Sequence, residues 1–171
     1  MKKLCSVIFV LFFFSEAAWA SSWINHTAPS KDVEGATVYI ASTTGKRGNL
    51  FAVVCDDRGL AIDLEMRGKG EEAALVDIMW KVDRWPRTAM TGETFLKEAS
   101  GYFLTFYDAS SAPLVGTETL VHRVKKGNRL RAFYAKSGEL LDDFSLKGSL
   151  RVVHEVEQAC EAGLGKAPEA Q

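Results

Sequence analysis

The stretch LLDDFSLKGSLRVVHEVEQACEAG, Leu140 to Gly163, changes its period half-way along. LLDDFSL, Leu140 to Leu146, reads as a strand. Lys147-Gly148-Ser149 reads as a turn. From about Ser149 to Glu161 the apolar residues Val152, Val153, Val156 and Cys160 fall on one stripe, while Arg151, Glu155, Glu157 and Gln158 face water, so this part is an amphipathic helix. A late strand running directly into a helix, behind a series of hairpins, points to an α+β chain.

Working back from this stretch, RLRAFYA (129–135) and the turn KSG precede its strand. TETLVHRVKKGN (117–128) places Leu120, Val121 and Val124 at helical spacing, with Thr117 as N-cap and a basic, glycine-terminated end. YFLTFYDA (102–109) is an aromatic strand, and a short strand is expected around Thr94 to Glu98. In ALVDIMWKVDRWP (74–86), Val76, Ile78, Trp80 and Val82 alternate with polar neighbours until Pro86 stops the run. LFAVVC (50–55), the turn DDRG and LAIDLEM (60–66) form a hairpin, with Leu60, Ile62, Leu64 and Met66 on one face and Asp63 and Glu65 on the other. ATVYIAST (36–43) is a further strand.

The sum is about seven strands, mostly joined by hairpins, with two short helices in the C-terminal third. That predicts an α+β fold, mainly an antiparallel β-sandwich or curled sheet capped by helices. Residues 1–20 read as a secretory signal peptide: MKK, then the apolar LCSVIFVLFFF, then SEAAWA with Ala18 and Ala20 at the small-residue positions. The apolar run is shorter than the ~20 residues a spanning helix needs, so no stable membrane anchor is expected after cleavage. Residues 21–35 read as an irregular N-terminal segment, 36–161 as a single α+β domain and 162–171 as a disordered tail.

With 21 Lys and Arg against 22 Asp and Glu, the formal charge is -1. That balance does not suggest nucleic-acid binding, which calls for a basic excess or a basic face. Of three cysteines, Cys5 leaves with the signal, and Cys55 and Cys160 remain. In an exported chain these two suffice for one disulfide; a free-thiol pair and an intermolecular bridge are the alternatives. A Cys55–Cys160 bridge encloses about 105 residues and is worth roughly 4 to 5 kcal/mol on the loop-entropy model.

The motifs for chemistry are sparse. GKGEEA (68–73) has glycine spacing but a strand follows it, so it reads as a hairpin loop rather than a dinucleotide turn. His26, His122 and His154 are isolated, and no cluster has ligand spacing, so neither metal nor cofactor is expected. Asp56-Asp57 reads as turn chemistry. Asp142 and Asp143, adjacent in a strand, point to opposite faces and cannot act on one substrate. The tripeptide NHT (25–27) fits the glycosylation acceptor of a eukaryotic secretory pathway. Trp80 has core parity. Trp85, between Arg84 and Pro86 with Arg87 beyond, is either an exposed anchor of a contact patch or folds back on the core edge.

Taken together, LVHRVKKGNRLRAFYAKSGELLDDFSLKGSLRVVHEVEQAC (120–160), with its F-x-L-x-G at Phe144, Leu146 and Gly148, resembles the end of an exported bacterial family, the type VI secretion accessory proteins called VasI or TagO. NLFAVVCDDRGLAIDLEM (49–66) and KVDRWP (81–86) are similar to that family's strand ending in Cys and its following strand. The invasion-associated locus B family has a similar architecture. Where the VasI type carries Ser-Pro-x-Asp-Asp, this chain has PSKDVEGA (29–36). The resemblance implies the fold and an exported location, and it transfers no catalytic residue.

The expectation is a non-enzymatic periplasmic or secreted accessory module, secretion-system associated in the form the resemblance suggests. It would act on another envelope or secreted protein, with Arg84, Trp85 and Arg87 as the candidate contact loop. The alternative is an immunity or inhibitor protein that blocks a hydrolase or toxin with a protruding loop, DRWPRTAMTG (83–92). A third reading, a small hydrolase with acidic catalysts, would draw on Asp56 and Asp57.

Overall fold

A computed structural model describes residues 22–30, 33–67, 75–97, 101–107 and 116–163. The expected signal peptide, the loop at 68–73 and all but the first two residues of the expected tail lie outside them. The elements run β1 (Ile24–Pro29), β2 (Thr37–Thr44), β3 (Leu50–Asp56), β4 (Gly59–Arg67), β5 (Leu75–Val82), β6 (Thr88–Lys97), β7 (Gly101–Tyr107), α1 (Thr117–Lys126), β8 (Arg129–Tyr134), β9 (Leu140–Ser145) and α2 (Ser149–Glu161).

The nine strands form one sheet in the order β1-β2-β3-β4-β7-β6-β5-β8-β9, and every pairing is antiparallel. The α+β class therefore holds, while the expected seven strands become nine and the sandwich becomes a single sheet. The curl follows from the rings. Phe51 on β3 and Trp80 on β5 are four strands apart, about 19 Å across a flat sheet, yet their centroids are 5.5 Å apart. Phe51 and Phe144 on β9, six strands apart, are 5.7 Å apart. The sheet bends until its inner face packs on itself. Trp23, Phe51, Trp80 and Phe106 meet edge-on along that interior, a favoured aromatic geometry. Leu120, Val121 and Val124 of α1 and Val152, Val153 and Val156 of α2 join the same core.

β1 was not expected, and β6 was expected only from about Thr94 although it begins at Thr88; both departures have plain causes. β1, inside the segment expected to be irregular, is an edge strand with most residues exposed, so it carries no apolar alternation, and its Pro29 is tolerated at an edge. β6 turns Thr88 and Thr94 inward, both buried, rather than aliphatic residues. Between them sits Gly92, where a Cβ would come within 2.7 Å of the Phe106 ring. Polar and glycine positions thus mark its buried face.

Both helices begin at glycine. Gly116, not Thr117, caps α1; Thr117 is buried and its hydroxyl donates to the Phe106 carbonyl. Gly148 caps α2 with φ +91°, a left-handed conformation that costs other residues roughly 1–2 kcal/mol. This explains F-x-L-x-G physically. Phe144 and Leu146 fill the core, and Gly148 reverses the chain into α2. Glu157, expected to face water, is half-buried and pairs with Lys125 of α1.

The edge of β9 is sealed by the other end of the sheet. The carbonyls of Leu140, Leu141, Asp143 and Ser145 receive Arg47 Nη1, Asn49 Nδ2, the Lys46 amide and Trp23 Nε1. The fully buried Asp142 carboxylate accepts the amides of Arg47 at 2.9 Å and Asn49 at 3.0 Å. Edge strands left bare invite pairing with another chain, and this one is closed by three side chains and one backbone amide rather than by a further strand.

Candidate functional site

The connection between β5 and β6 is only Asp83 to Arg87, because Thr88 already belongs to β6. The ten-residue loop expected at 83–92 is therefore a tight turn over 83–87, and residues 88–92 belong to β6. Asp83 has φ +39°, the one described non-glycine residue with positive φ. Its carboxylate holds the conformation by accepting the amides of Asn128 at 2.8 Å and Arg129 at 3.0 Å, which ties the turn to the α1–β8 connection. The Trp85 amide donates to the Val82 carbonyl at 2.9 Å. Lys81 Nζ donates to the Trp85 carbonyl, and Arg123 donates to the Pro86 carbonyl and the Thr88 hydroxyl.

Of the two sequence readings of Trp85, the core-edge one holds. The indole is half-buried against the core, with the Arg123 guanidinium 5.7 Å from its ring. Arg84, Pro86 and Arg87 are left exposed. A pinned turn presenting two arginines is what the structure makes of the candidate contact loop.

The pairing of β5 with β8 adds what the sequence did not reveal. Lys81 lies opposite Arg131, and Met79 opposite Phe133. By strand parity these four share the outer face of the curled sheet. The Phe133 ring lies under two guanidiniums, Arg87 at 5.2 Å and Arg131 at 5.9 Å. Lys81, Arg87 and Arg131 thus form a basic face interleaved with Met79 and Phe133, and exposed Arg84 in the adjoining turn is a fourth cation. Among the described residues, no carboxylate pairs with any of the four. Farther along, Asp143 on β9 is held by Arg129 at 2.7 Å and by Lys46 at 3.5 Å. Hydrogen bonding from Arg129 pulls the Asp143 carboxyl below its ordinary range.

Three of the four paired aspartates make contacts that hold the fold. Asp142 and Asp143 point to opposite faces, as expected, and each is occupied: one by the β2–β3 turn, the other by Arg129. Asp56 accepts the Arg58 amide at 2.9 Å in the β3–β4 hairpin turn, an Asx-turn arrangement. Asp63, on the face of β4 opposite Ile62 and Leu64 as expected, is half-buried. Burial pushes its carboxyl up to about 6, against a hydrogen bond from Thr105 that lowers it. One of its oxygens has no hydrogen-bond partner among the described residues.

Cys55 on β3 and Cys160 on α2 stand at disulfide distance, with Cα atoms 5.5 Å apart. Beside them an open cleft of about 580 Å³ lies between β1, β2 and α2, lined by Asn25, His26, Thr27, Tyr39, Glu155 and Gln158. Asn25 donates to Glu155 across it at 2.7 Å. No group of three or more metal-ligating side chains gathers among the described residues, and among them no helix is long and apolar enough to cross a membrane. Compared with protein-family models, curated proteins and solved structures, the chain matches none of them.

Proposed function

We propose that this chain is an exported, non-enzymatic binding module that acts on another envelope or secreted protein through the Asp83–Arg87 turn and the outer face of β5 and β8. The observation that carries the reading is Asp83. A strained backbone held by two amide hydrogen bonds keeps Arg84, Pro86 and Arg87 in one fixed presentation. Strain of this kind costs of order 1–3 kcal/mol and clusters at functional positions. A rigid turn also binds without the cost of ordering a loop.

The paired cysteines suit an oxidising compartment, and the signal-like start suits export. The resemblance of residues 120–160 to the VasI or TagO proteins lends the proposal a more specific form, an accessory of a secretion system.

The test is affinity capture from an envelope extract with the mature protein and with an Arg84→Ala, Arg87→Ala variant. A specific partner retained by the first and lost by the second supports the reading. Identical captured sets, or chaperones alone, count against it.

A further inference from the structure

We propose that the partner of this face is an acidic protein segment whose carboxylates engage Arg84, Arg87, Arg131 and Lys81. The proposal rests on the contact reading above and adds the chemistry of what is bound.

Charge segregation is the first ground. The chain as a whole carries -1, and many of its other cations are spoken for. Arg58 pairs with Asp56, Lys125 with Glu157, Arg151 with Glu155, and Lys46 and Arg129 with Asp143. The four on this face have no such partner among the described residues, so a near-neutral chain holds a local positive surplus.

Register is the second. Lys81 and Arg131 are direct cross-strand neighbours, and like charges opposite one another destabilise a sheet. Asp143, on the other side of Arg131, is already engaged by Arg129. An incoming carboxylate would relieve the Lys81–Arg131 repulsion.

The rings decide between classes of anion. Single-stranded nucleic acid binds basic grooves by stacking bases on open aromatic faces. Here Arg87 and Arg131 lie over Phe133, and Arg123 lies over Trp85. The stacking faces are taken, while guanidinium N–H groups remain for planar carboxylates, which arginine binds in two-point fashion. Met79 and Phe133 between the cations offer apolar contact to the residues separating acidic side chains.

The probe is a fluorescein-labelled extended peptide of about ten alternating Glu and Ser residues, ~33 Å long, followed by anisotropy with the mature protein. Saturable binding that weakens from about 20 mM to about 500 mM salt is expected. Arg87→Glu, Arg131→Glu should weaken it about tenfold or more, and Lys147→Glu, Arg151→Glu should not. If the first pair disturbs folding by circular dichroism, Arg87→Gln, Arg131→Gln gives the same readout. No binding, or binding indifferent to these arginines, overturns the proposal. So does arginine-dependent binding of single-stranded DNA or heparin in place of the peptide. If the peptide fails while envelope capture still depends on Arg84 and Arg87, the contact surface stands and its acidic partner falls.

Discussion

The Asp142 carboxylate fills the space that a side chain on Gly45 would need: a Cβ there would lie 2.4 Å from Asp142 Cγ. Two residues nearly a hundred positions apart are thereby matched, one by its absence of a side chain and the other by its charge. The carboxylate reaches the amides of Arg47 and Asn49 because nothing at position 45 stands in the way. This clasp joins the β2–β3 turn to β9 and holds the curl of the sheet.

Removing it is expected to be costly. Asp142→Ala strands two amides in a closed site, at about 1–3 kcal/mol for each that water cannot reach. Gly45→Ala forces the carboxylate out and should cost a similar amount. Because both changes break one contact, the double variant should lose much less than the sum of the two. Urea unfolding of the four proteins measures this, and strict additivity would show that the clasp is not a unit.

Asp63 predicts an unusual pH profile. Its folded-state value, raised to about 6 from 3.8 by burial, exceeds the unfolded one. Below the unfolded value both states are protonated and burial of the acid is not penalised. As pH rises from about 4 to about 6 the unfolded chain ionises first, so stability falls, by up to ~3 kcal/mol, and then levels off. Asp143 runs the other way, since its lowered carboxyl loses its contribution only as the pH falls below the ordinary carboxylate range. Asp63→Asn should therefore raise the melting temperature at pH 8 and change little at pH 4. Equal shifts at both pH values would contradict the burial argument.

How much of this was legible in the sequence depended on what each face buries. The β3–β4 hairpin, β5 and α2 announce themselves because aliphatic residues occupy their buried positions at a regular period. β6 was legible only from about Thr94, because Thr88 and Gly92 in its first half look polar while being enclosed. Had the alternation of Thr88, Met90, Gly92 and Thr94 been weighed for size rather than polarity, it would have marked the strand. The pairings β4–β7 and β5–β8 join segments far apart in the sequence, from Arg67↔Gly101 to Ile78↔Tyr134, and no local pattern encodes them. The proposed contact surface divides the same way. Arg84, Trp85 and Arg87 are sequence neighbours and were readable as a group. Lys81 joins Arg131 and Phe133 only through the β5–β8 register.

The Cys55–Cys160 pair is expected to be oxidised and to fasten α2 to β3. Mass measurement after alkylation of the denatured, unreduced mature protein should find no free thiol, with two appearing after reduction; two alkylated thiols before reduction would refute the bridge. Cys160→Ser should lower stability by about 2–5 kcal/mol, read as a lower urea midpoint. The Arg84–Arg87 turn, tied instead to α1 and β8 through Arg123 and Asp83, should keep its structure.

The central claim is that Arg84 stands at a protein contact. The most direct measurement is photo-crosslinking in the intact cell envelope, with a benzophenone amino acid placed at position 84 and, as a control, at exposed Lys147. The account predicts a discrete adduct with another protein from position 84 and none of that mass from position 147. The same adducts from both positions, or none from position 84, would contradict it.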